Sequence, residues 1–170
     1  NRRLNRHEYG VLMRIGIGYD VHQFAPNRPL ILGGITIPHH VGLKGHSDAD
    51  ILTHAIIDAC LGALAQGNIG THFPDTDPKY KGISSFILLE HTLNLIQEMG
   101  YQIGNLDTTI IAQAPKLNPH IPKIRANLAE KMAIDLSQLS VKATTSEKMG
   151  FIGEEKGIAV HSVALLNKTP

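Results

Sequence analysis

Apolar and polar positions alternate with two different periods along the chain, and the strand-like period comes first. The run MRIGIGYD, residues 13–20, predicts a strand whose glycines let another backbone approach closely. Further strands are predicted at 101–113, 139–145 and 157–166. The stretch RPLILGGITIP, residues 28–38, predicts two short strands around a Gly-Gly bend.

The helical period appears in three segments, which predict helices at 46–67, 84–100 and 118–133. Ser47 is the expected N-cap of the first helix, and Asp50 three residues later gives a variant of the capping box. Gly100 is the expected stop of the second. Strands alternating with helices predict an α/β fold, an α+β sandwich in which a mixed sheet carries helices on one face. The order of the strands stays open.

Composition limits the class of protein. The chain has 170 residues, 42% of them hydrophobic, which suits one domain over residues 13–170. A net charge of +1 and scattered basic residues argue against nucleic-acid binding. No apolar run approaches the roughly 20 residues of a membrane span. The single cysteine, Cys60, excludes a disulfide framework, and we expect a soluble cytoplasmic protein.

The first twelve residues, NRRLNRHEYGVL, are basic and weakly periodic. We interpret residues 1–12 as a disordered arm or as one added during cloning, with Met13 as the natural start. A cleaved targeting peptide is the less favoured alternative, because the arm is short and lacks a hydrophobic core.

Candidate chemistry begins with Asp20 and His22, which a strand presents on the same face. On the first predicted helix, Asp50, His54 and Asp58 recur at i, i+4 and i+8, so they form one polar stripe, for which an ordinary solvated face is the alternative. Together, Asp20, His22 and His54 match a three-ligand zinc site with its fourth position open. Asp50 and Asp58 are candidates to accept the second N–H of His54.

Four polar segments are further candidates. GHSDAD (45–50) sets His46 and Ser47 before a helix, where anions bind, although Ser47 serving only as a cap is an equal alternative. NIGTHFPDTDPKYKG (68–82) is a long polar loop. AQAPKLNPH (112–120) is a proline-shaped bend that could hold a planar base. KATTSEKMGFIGEEKG (142–157) sets hydroxyls beside Glu147, which suits a phosphate with a divalent cation.

These motifs, in this order, closely resemble the family of 2-C-methyl-D-erythritol 2,4-cyclodiphosphate synthases of the non-mevalonate isoprenoid pathway. The resemblance runs from Met13 to about Leu166 and rests on GYDVHQF, LGGITIP, GHSDAD with His54, IGTHFPDTDP, VKATTSEKMGF and GIAVHSVALL. It implies a homotrimer with active sites between subunits. The protein would be a phosphorus–oxygen lyase. Each site would convert 4-diphosphocytidyl-2-C-methyl-D-erythritol 2-phosphate into the cyclic diphosphate and release CMP.

The resemblance also implies residue roles. Asp20, His22 and His54 would bind Zn²⁺, Glu147 would bind Mg²⁺ or Mn²⁺ with the substrate diphosphate, and His46 and Thr145 would be catalytic. The neighbouring subunit would supply the cytidine diphosphate cradle, residues 112–118 and 144–147. The implied substrate-binding residues are Asp20, His22, His46, Ser47, Asn68, Ile69, Gly70, Phe73, Pro74, Asp75, Thr76, Asp77, Ala112, Gln113, Ala114, Pro115, Lys116, Leu117, Asn118, Thr144, Thr145, Ser146, Glu147 and Phe151.

Two positions depart from the family pattern. Asn68 replaces an acid expected to contact ribose, and Glu154 replaces an arginine, so anion binding near residue 154 is expected to be weaker or absent. Two other functions stay open: a metal-dependent phosphohydrolase acting on a nucleotide sugar alcohol, and a non-catalytic, zinc-stabilised trimeric interaction module.

Overall fold

Strands and helices alternate along the computed structural model, which describes residues 12–170. Three short 3₁₀ turns also occur there, at Pro78–Tyr80, Asn118–His120 and Leu136–Gln138. The regular elements are β1 (Met13–Ala25), β2 (Leu30–Leu32), β3 (Ile35–Ile37), β4 (Gly42–Leu43), α1 (Ile51–Ala63), α2 (Ile69–His72), α3 (Ser85–Glu98), β5 (Tyr101–Ile111), α4 (Ile121–Met132), β6 (Leu139–Thr144), α5 (Gly150–Gly153) and β7 (Gly157–Lys168).

Our interpretation of the N-terminal arm falls almost wholly outside the described residues. Of residues 1–12 only Leu12 is described, and its carbonyl accepts a hydrogen bond from the Lys168 backbone N–H at 2.8 Å. The interpretation of the arm therefore stays a prediction.

The sheet has five strands in the order β4-β1-β7-β5-β6. Only β5 and β6 run parallel, while the other neighbours are antiparallel, so the predicted mixed sheet is confirmed. The hairpin of β2 and β3 stands apart and turns at Gly33 and Gly34, which both have positive φ, as the predicted bend requires.

The helices cover one face of the sheet, as predicted. One row of paired residues across β1, β7, β5 and β6 is Gly16, Ala164, Leu106 and Leu139, and all four are buried. Their side of the sheet joins a single core with residues of α1, α3 and α4. The opposite side carries exposed β1 residues.

The approach of α1 to β1 depends on two glycines. A Cβ placed on Gly16 would lie 1.9 Å from the Ala59 carbonyl oxygen, and one on Gly18 would lie 1.9 Å from that of Ala55. No side chain fits in such a space. The predicted close backbone approach is therefore confirmed, and it lets α1 pack directly on the strand.

The predicted start of α1 was wrong. Ser47 lies in a loop, and the N-cap is Asp50, whose carboxylate accepts the Thr53 N–H at 3.1 Å. The same carboxylate accepts the N–H groups of Gly33 and Gly34 at 2.9 and 2.7 Å. Because Asp50 also satisfies the β2–β3 turn, the helix begins where that turn meets it.

The two other predicted helices are confirmed as α3 and α4. α3 ends two residues before Gly100, whose φ of +78° stops it as predicted. None of the helices between residues 12 and 170 has the length and apolar character needed to cross a bilayer.

Candidate active site

One carboxylate and two imidazoles converge where β1 meets α1. β1 presents Asp20 and His22 on the same face, and α1 presents His54 towards them. Asp20 Oδ2 lies 2.9 Å from His22 Nε2 and 3.2 Å from His54 Nδ1. All three ligand atoms lie within 4.8 Å of one another, so the predicted convergence of Asp20, His22 and His54 is confirmed.

The donor set fits a divalent cation. Nitrogen and oxygen donors about 2.0–2.1 Å from a tetrahedral ion lie about 3.4 Å apart, only a few tenths of an ångström more than the separations from Asp20. Two imidazoles with one carboxylate also leave one of four coordination positions open for a ligand. The group therefore suits a metal that also binds substrate.

The pKa values of Asp20 and His22 indicate how these two candidate ligands are protonated where a cation would bind. Burial alone would raise the pKa of Asp20, but hydrogen bonds from His22 and His54 outweigh it and hold that pKa at about 2. Burial lowers the pKa of His22, but the Asp20 carboxylate outweighs it, so the pKa is raised. His22 Nδ1–H donates to the Lys44 carbonyl at 2.6 Å, which leaves Nε2 facing Asp20. A metal at this position would replace the Nε2 proton.

The partners predicted for His54 were wrong. Its Nε2 lies 2.8 Å from Ser85 Oγ and 3.1 Å from Ser47 Oγ, and neither Asp50 nor Asp58 reaches it. Asp50 caps α1, while Asp58 Oδ1 accepts the backbone N–H of residue 69 at 2.6 Å. Helical spacing puts these carboxylates on the stripe of His54, but each satisfies a backbone donor on a segment packed against the helix.

The solvated-face alternative for this stripe is also excluded. The Asp50 side chain is fully buried, and His54 is only 9% exposed. Burial raises the pKa of Asp50, while its four hydrogen bonds, one of them from Thr53 Oγ1 at 2.8 Å, act in the opposite direction. Burial likewise raises the pKa of Asp58.

A cavity of about 590 Å³ surrounds the three candidate ligands. It brings together most of the residues predicted for the metal and erythritol part of the site. The predicted residues that line it are Asp20, His22, His46, Ser47, His54, Ile69, Gly70, Phe73, Pro74, Asp75 and Thr76. Gly45, Tyr80 and Leu88 also line it, although none of them was among the predicted site residues.

Two predicted residues of the same loop do not line this cavity. Asn68 is the N-cap of α2, and its Oδ1 accepts the N–H and the hydroxyl of Thr71, each at 3.0 Å. Asp77 caps a 3₁₀ turn through the Lys79 N–H, and its carbonyl accepts a long bond of 3.4 Å from His46 Nε2. Both side chains therefore shape the loop in this structure.

A second cavity, of about 440 Å³, lies at the carboxyl ends of the parallel strands β5 and β6. It contains most of the predicted cytidine cradle. The predicted residues that line it are Ala112, Gln113, Pro115, Lys116, Leu117, Asn118, Thr144 and Thr145. The lining does not include four others, Ala114, Ser146, Glu147 and Phe151.

Hydrogen bonds nevertheless join the segments beside this cavity. Thr145 Oγ1 donates to Glu147 Oε1 at 2.9 Å, and the Lys148 N–H donates to Gln113 Oε1 at 3.0 Å. In the turn that follows, the Glu154 carboxylate pairs with the Lys156 ammonium. The prediction of weaker anion binding near Glu154 therefore stays a prediction, with the Lys156 ammonium in the same turn.

The two cavities share no lining residue. Asp20, Val160, Ile110 and Ala143 form one row across β1, β7, β5 and β6. Since neighbouring strands are about 4.8 Å apart, Asp20 and Ala143 are separated by about 14 Å. The metal-ligand group and the predicted cradle of one chain are therefore separate places on the same sheet.

Three comparisons with known proteins agree. A model of the YgbB family matches residues 13–167. A 2-C-methyl-D-erythritol 2,4-cyclodiphosphate synthase of Syntrophotalea carbinolica is 60% identical over 157 residues, 92% of this chain and 96% of that protein. The IspF–CDP complex of Plasmodium falciparum has a TM-score of 0.84 at 39% identity and covers 95% of this chain and 100% of that one.

The bifunctional IspDF of Campylobacter jejuni has a TM-score of 0.89 at 43% identity. The match covers 92% of this chain but only 42% of that longer protein. The likeness therefore extends over one part of the bifunctional chain.

Proposed function

Since the chain belongs to the YgbB family, we propose that it converts 4-diphosphocytidyl-2-C-methyl-D-erythritol 2-phosphate into 2-C-methyl-D-erythritol 2,4-cyclodiphosphate and CMP. The observation that carries this proposal is the Asp20, His22 and His54 group within a cavity lined by the loop residues that the family pattern predicts. The CDP bound to the Plasmodium falciparum relative supports a cytidine nucleotide as part of the substrate.

In this reaction an oxygen of the 2-phosphate attacks the β-phosphorus. The bond from that phosphorus to the oxygen bridging it to the α-phosphate breaks, and CMP leaves with the bridging oxygen. Both reacting groups are anionic, so positioning and charge stabilisation dominate over covalent work by the protein. The catalytic roles fall to His46, which projects from the loop before α1, and to Thr145 beside the cradle.

The loop that carries His46 and Ser47 is held firmly. Arg28 donates from its two terminal nitrogens to the carbonyls of Gly45 and Ser47, at 2.7 and 2.8 Å. These bonds fix the backbone on either side of His46. The imidazole and the Ser47 hydroxyl can therefore meet a phosphate without first ordering the loop.

We assign zinc to Asp20, His22 and His54, because two imidazoles and a carboxylate are donors that zinc prefers. When bound, zinc supplies a Lewis acid and a template for phosphate oxygens. Glu147 would hold magnesium or manganese with the diphosphate, since these ions prefer carboxylate oxygen. In the structure the Glu147 carboxylate already accepts a bond from Thr145, the second proposed catalytic residue.

The homotrimer that the resemblance implies is supported, as an assembly of copies, by the face of the sheet that the helices leave uncovered. On β1, Ile15, Ile17 and Tyr19 are 74%, 69% and 51% exposed, and Val21 and Val163 continue the patch. Contiguous apolar surface of this kind marks an association surface. We propose that further copies of the chain cover this surface. The metal-ligand group and the cradle would each be one half of an active site, and a neighbouring copy could supply the other half.

The activity is tested by incubating the protein with the proposed substrate and Mg²⁺ and following the products by ³¹P NMR. We expect CMP and a cyclic diphosphate in equal amounts. Free phosphate or an acyclic product would instead favour the phosphohydrolase. Metal binding without turnover would favour the non-catalytic interaction module.

Subunit mixing tests whether sites form between chains. Inactive His22→Ala subunits are mixed with inactive Glu147→Ala subunits under conditions where subunits exchange. With random exchange, about a quarter of the sites combine two intact halves, so activity should partly return. Mixing His22→Ala with Asp20→Ala is the matched control, because every metal half-site stays damaged. Equal activity in both mixtures would contradict a site shared between subunits.

A further inference from the structure

Behind the candidate metal ligands lies Ser85, the first residue of α3, whose side chain is fully buried. Its Oγ lies 2.8 Å from His54 Nε2, and its hydroxyl also bonds to Asp48 Oδ1. The chain of contacts therefore runs from Asp48 through Ser85 to His54 and ends at Asp20, which lies 3.2 Å from His54 Nδ1.

Counting protons fixes the direction of these bonds. A serine hydroxyl has a single hydrogen, and an ionised carboxylate can only accept. The hydrogen of Ser85 therefore points to Asp48, so Ser85 Oγ must accept a hydrogen from His54 Nε2. With a hydrogen held on Nε2 for Ser85, the nitrogen whose lone pair a cation can take is Nδ1, which faces Asp20 and His22.

We propose that Asp48 and Ser85 are positioning residues that keep a hydrogen on His54 Nε2, so that Nδ1 is the nitrogen that binds a divalent cation. The inference rests on the metal role given above to Asp20, His22 and His54. Asp48 thus orients His54, which belongs to α1, through the hydroxyl of Ser85, which belongs to α3.

Ser47 cannot set this state alone. Its Oγ lies 3.1 Å from His54 Nε2 and accepts the Ala49 N–H at 3.2 Å. Within residues 12–170 no carboxylate bonds to the Ser47 hydroxyl, so this hydroxyl can donate to Nε2 as well as accept from it. With only Ser47 present, His54 could equally carry its proton on Nδ1, where it would block a cation.

Asp48 is also a structural link, and the two roles must be separated. Its carboxylate accepts the backbone N–H groups of Ser85 at 3.0 Å and of Asp50 at 3.1 Å, which joins the loop before α1 to the start of α3. Ser85→Ala removes the hydroxyl but keeps the Ser85 backbone N–H. That substitution therefore interrupts the path to His54 while the link between the two segments remains.

The test measures the zinc dissociation constant of the metal-free full chain by competition with a chromophoric chelator, without substrate. Losing an outer partner of a metal ligand weakens metal binding about 10- to 100-fold. We expect about tenfold for Ser85→Ala and for Asp48→Asn, since Ser47 remains as a second acceptor. The double variant should also lose about tenfold rather than the product, because both changes interrupt the same path.

Ser84→Ala is the matched control. Ser84 caps the same helix, its Oγ accepting the Phe86 N–H at 3.3 Å, and it makes no hydrogen bond to His54. Its zinc dissociation constant should stay within about twofold of the wild-type value. The visible spectrum of the Co²⁺-loaded protein gives a second readout, which should change in Ser85→Ala and Asp48→Asn but not in Ser84→Ala.

Each alternative result overturns the inference. Unchanged zinc affinity in Ser85→Ala, or losses that multiply in the double variant, would show that Asp48 and Ser85 do not act on His54 together. An equal loss in Ser84→Ala would trace the effect to the start of α3 in general. A wild-type protein that binds no zinc would overturn the metal role of Asp20, His22 and His54 as well, so the two failures are distinguishable.

Discussion

Gly18→Ala should loosen the candidate metal site by forcing α1 away from β1. A Cβ at residue 18 would lie 1.9 Å from the Ala55 carbonyl oxygen and 2.8 Å from the Ala59 nitrogen. Real Cβ atoms essentially never approach another atom closer than 3.0 Å, and here the obstacle is helix backbone rather than a flexible side chain. The helix must therefore retreat by at least about 1.1 Å, the difference between 1.9 and 3.0 Å.

The displaced segment carries His54, the residue before Ala55. His54 Nδ1 is now 3.2 Å from Asp20 Oδ2, and a retreat of this size along the line between these two atoms would carry it to more than 4 Å. Donors of one tetrahedral cation lie only about 3.4 Å apart, so zinc binding should weaken at least about tenfold. Overpacking of this kind also costs about 1–3 kcal/mol of folding free energy.

Two other glycines of the same interface provide controls. A Cβ on Gly62, within α1, would lie 3.6 Å from the Ile17 carbonyl oxygen, an ordinary contact, so Gly62→Ala should stabilise the helix by about 0.5–1 kcal/mol. Gly16→Ala would clash with the Ala59 carbonyl at 1.9 Å, further along α1 from His54. It should destabilise the fold as Gly18→Ala does, with a smaller loss of zinc affinity.

The assays are thermal unfolding of the metal-free protein by circular dichroism and zinc competition on the same samples. Gly18→Ala should lower both the melting temperature and the zinc affinity, and Gly62→Ala should lower neither. A Gly18→Ala protein with wild-type melting temperature and zinc affinity would refute the backbone contact from which this prediction is worked.

Three further predictions concern the ligands and the ribose loop. His54→Ala should abolish stoichiometric zinc and activity while most of the fold remains, as metal analysis and circular dichroism would show; turnover that survives zinc removal would contradict the assignment. Because the pKa of His22 is raised and zinc displaces its proton, zinc affinity should be constant above that pKa and fall about tenfold per pH unit below it. Chelator competition across pH checks this, and a flat profile would count against it. Asn68→Asp should lower the KM about fivefold with little change in kcat, because a carboxylate can accept from ribose with one oxygen while the other caps Thr71. An unchanged KM would mean that residue 68 only shapes its turn.

The metal ligands were accessible from the sequence because each lies in a locally periodic element. Asp20 and His22 share a face through the period of two in β1, and His54 lies on a helix long enough to be recognised. Their convergence could not come from spacing alone, since 32 positions separate His22 from His54. It was suggested by the donor types, two imidazoles and one carboxylate that suit zinc, and then by the order of motifs shared with a known family; the structure confirms the convergence.

The surroundings of His54 were less accessible, because they depend on contacts distant in sequence. The start of α1 depends on the hydrogen bonds that the backbone N–H groups of Gly33 and Gly34 donate to Asp50. The sequence of residues 45–50 alone does not indicate these bonds. Ser85 reaches His54 from a helix that begins 31 residues later, and a serine at a helix start normally indicates only capping. Predictions from the local sequence pattern were therefore wrong for the N-cap of α1 and for the residue that accepts a hydrogen from His54 Nε2.

The alternation along β1 explains why the metal group and the proposed trimer surface cannot vary independently. Residues 16, 18, 20 and 22 face α1, whereas Ile15, Ile17, Tyr19 and Val21 face away from it. A shift of the strand by a single residue would exchange the two sets, so the apolar side chains would meet α1 where only glycine fits. Eleven consecutive residue pairs join β1 and β7, from Met13–Asn167 to Gln23–Gly157, and this pairing holds the alternation in place. The contact that excludes side chains at Gly16 and Gly18 therefore also sets which residues are left for a neighbouring copy.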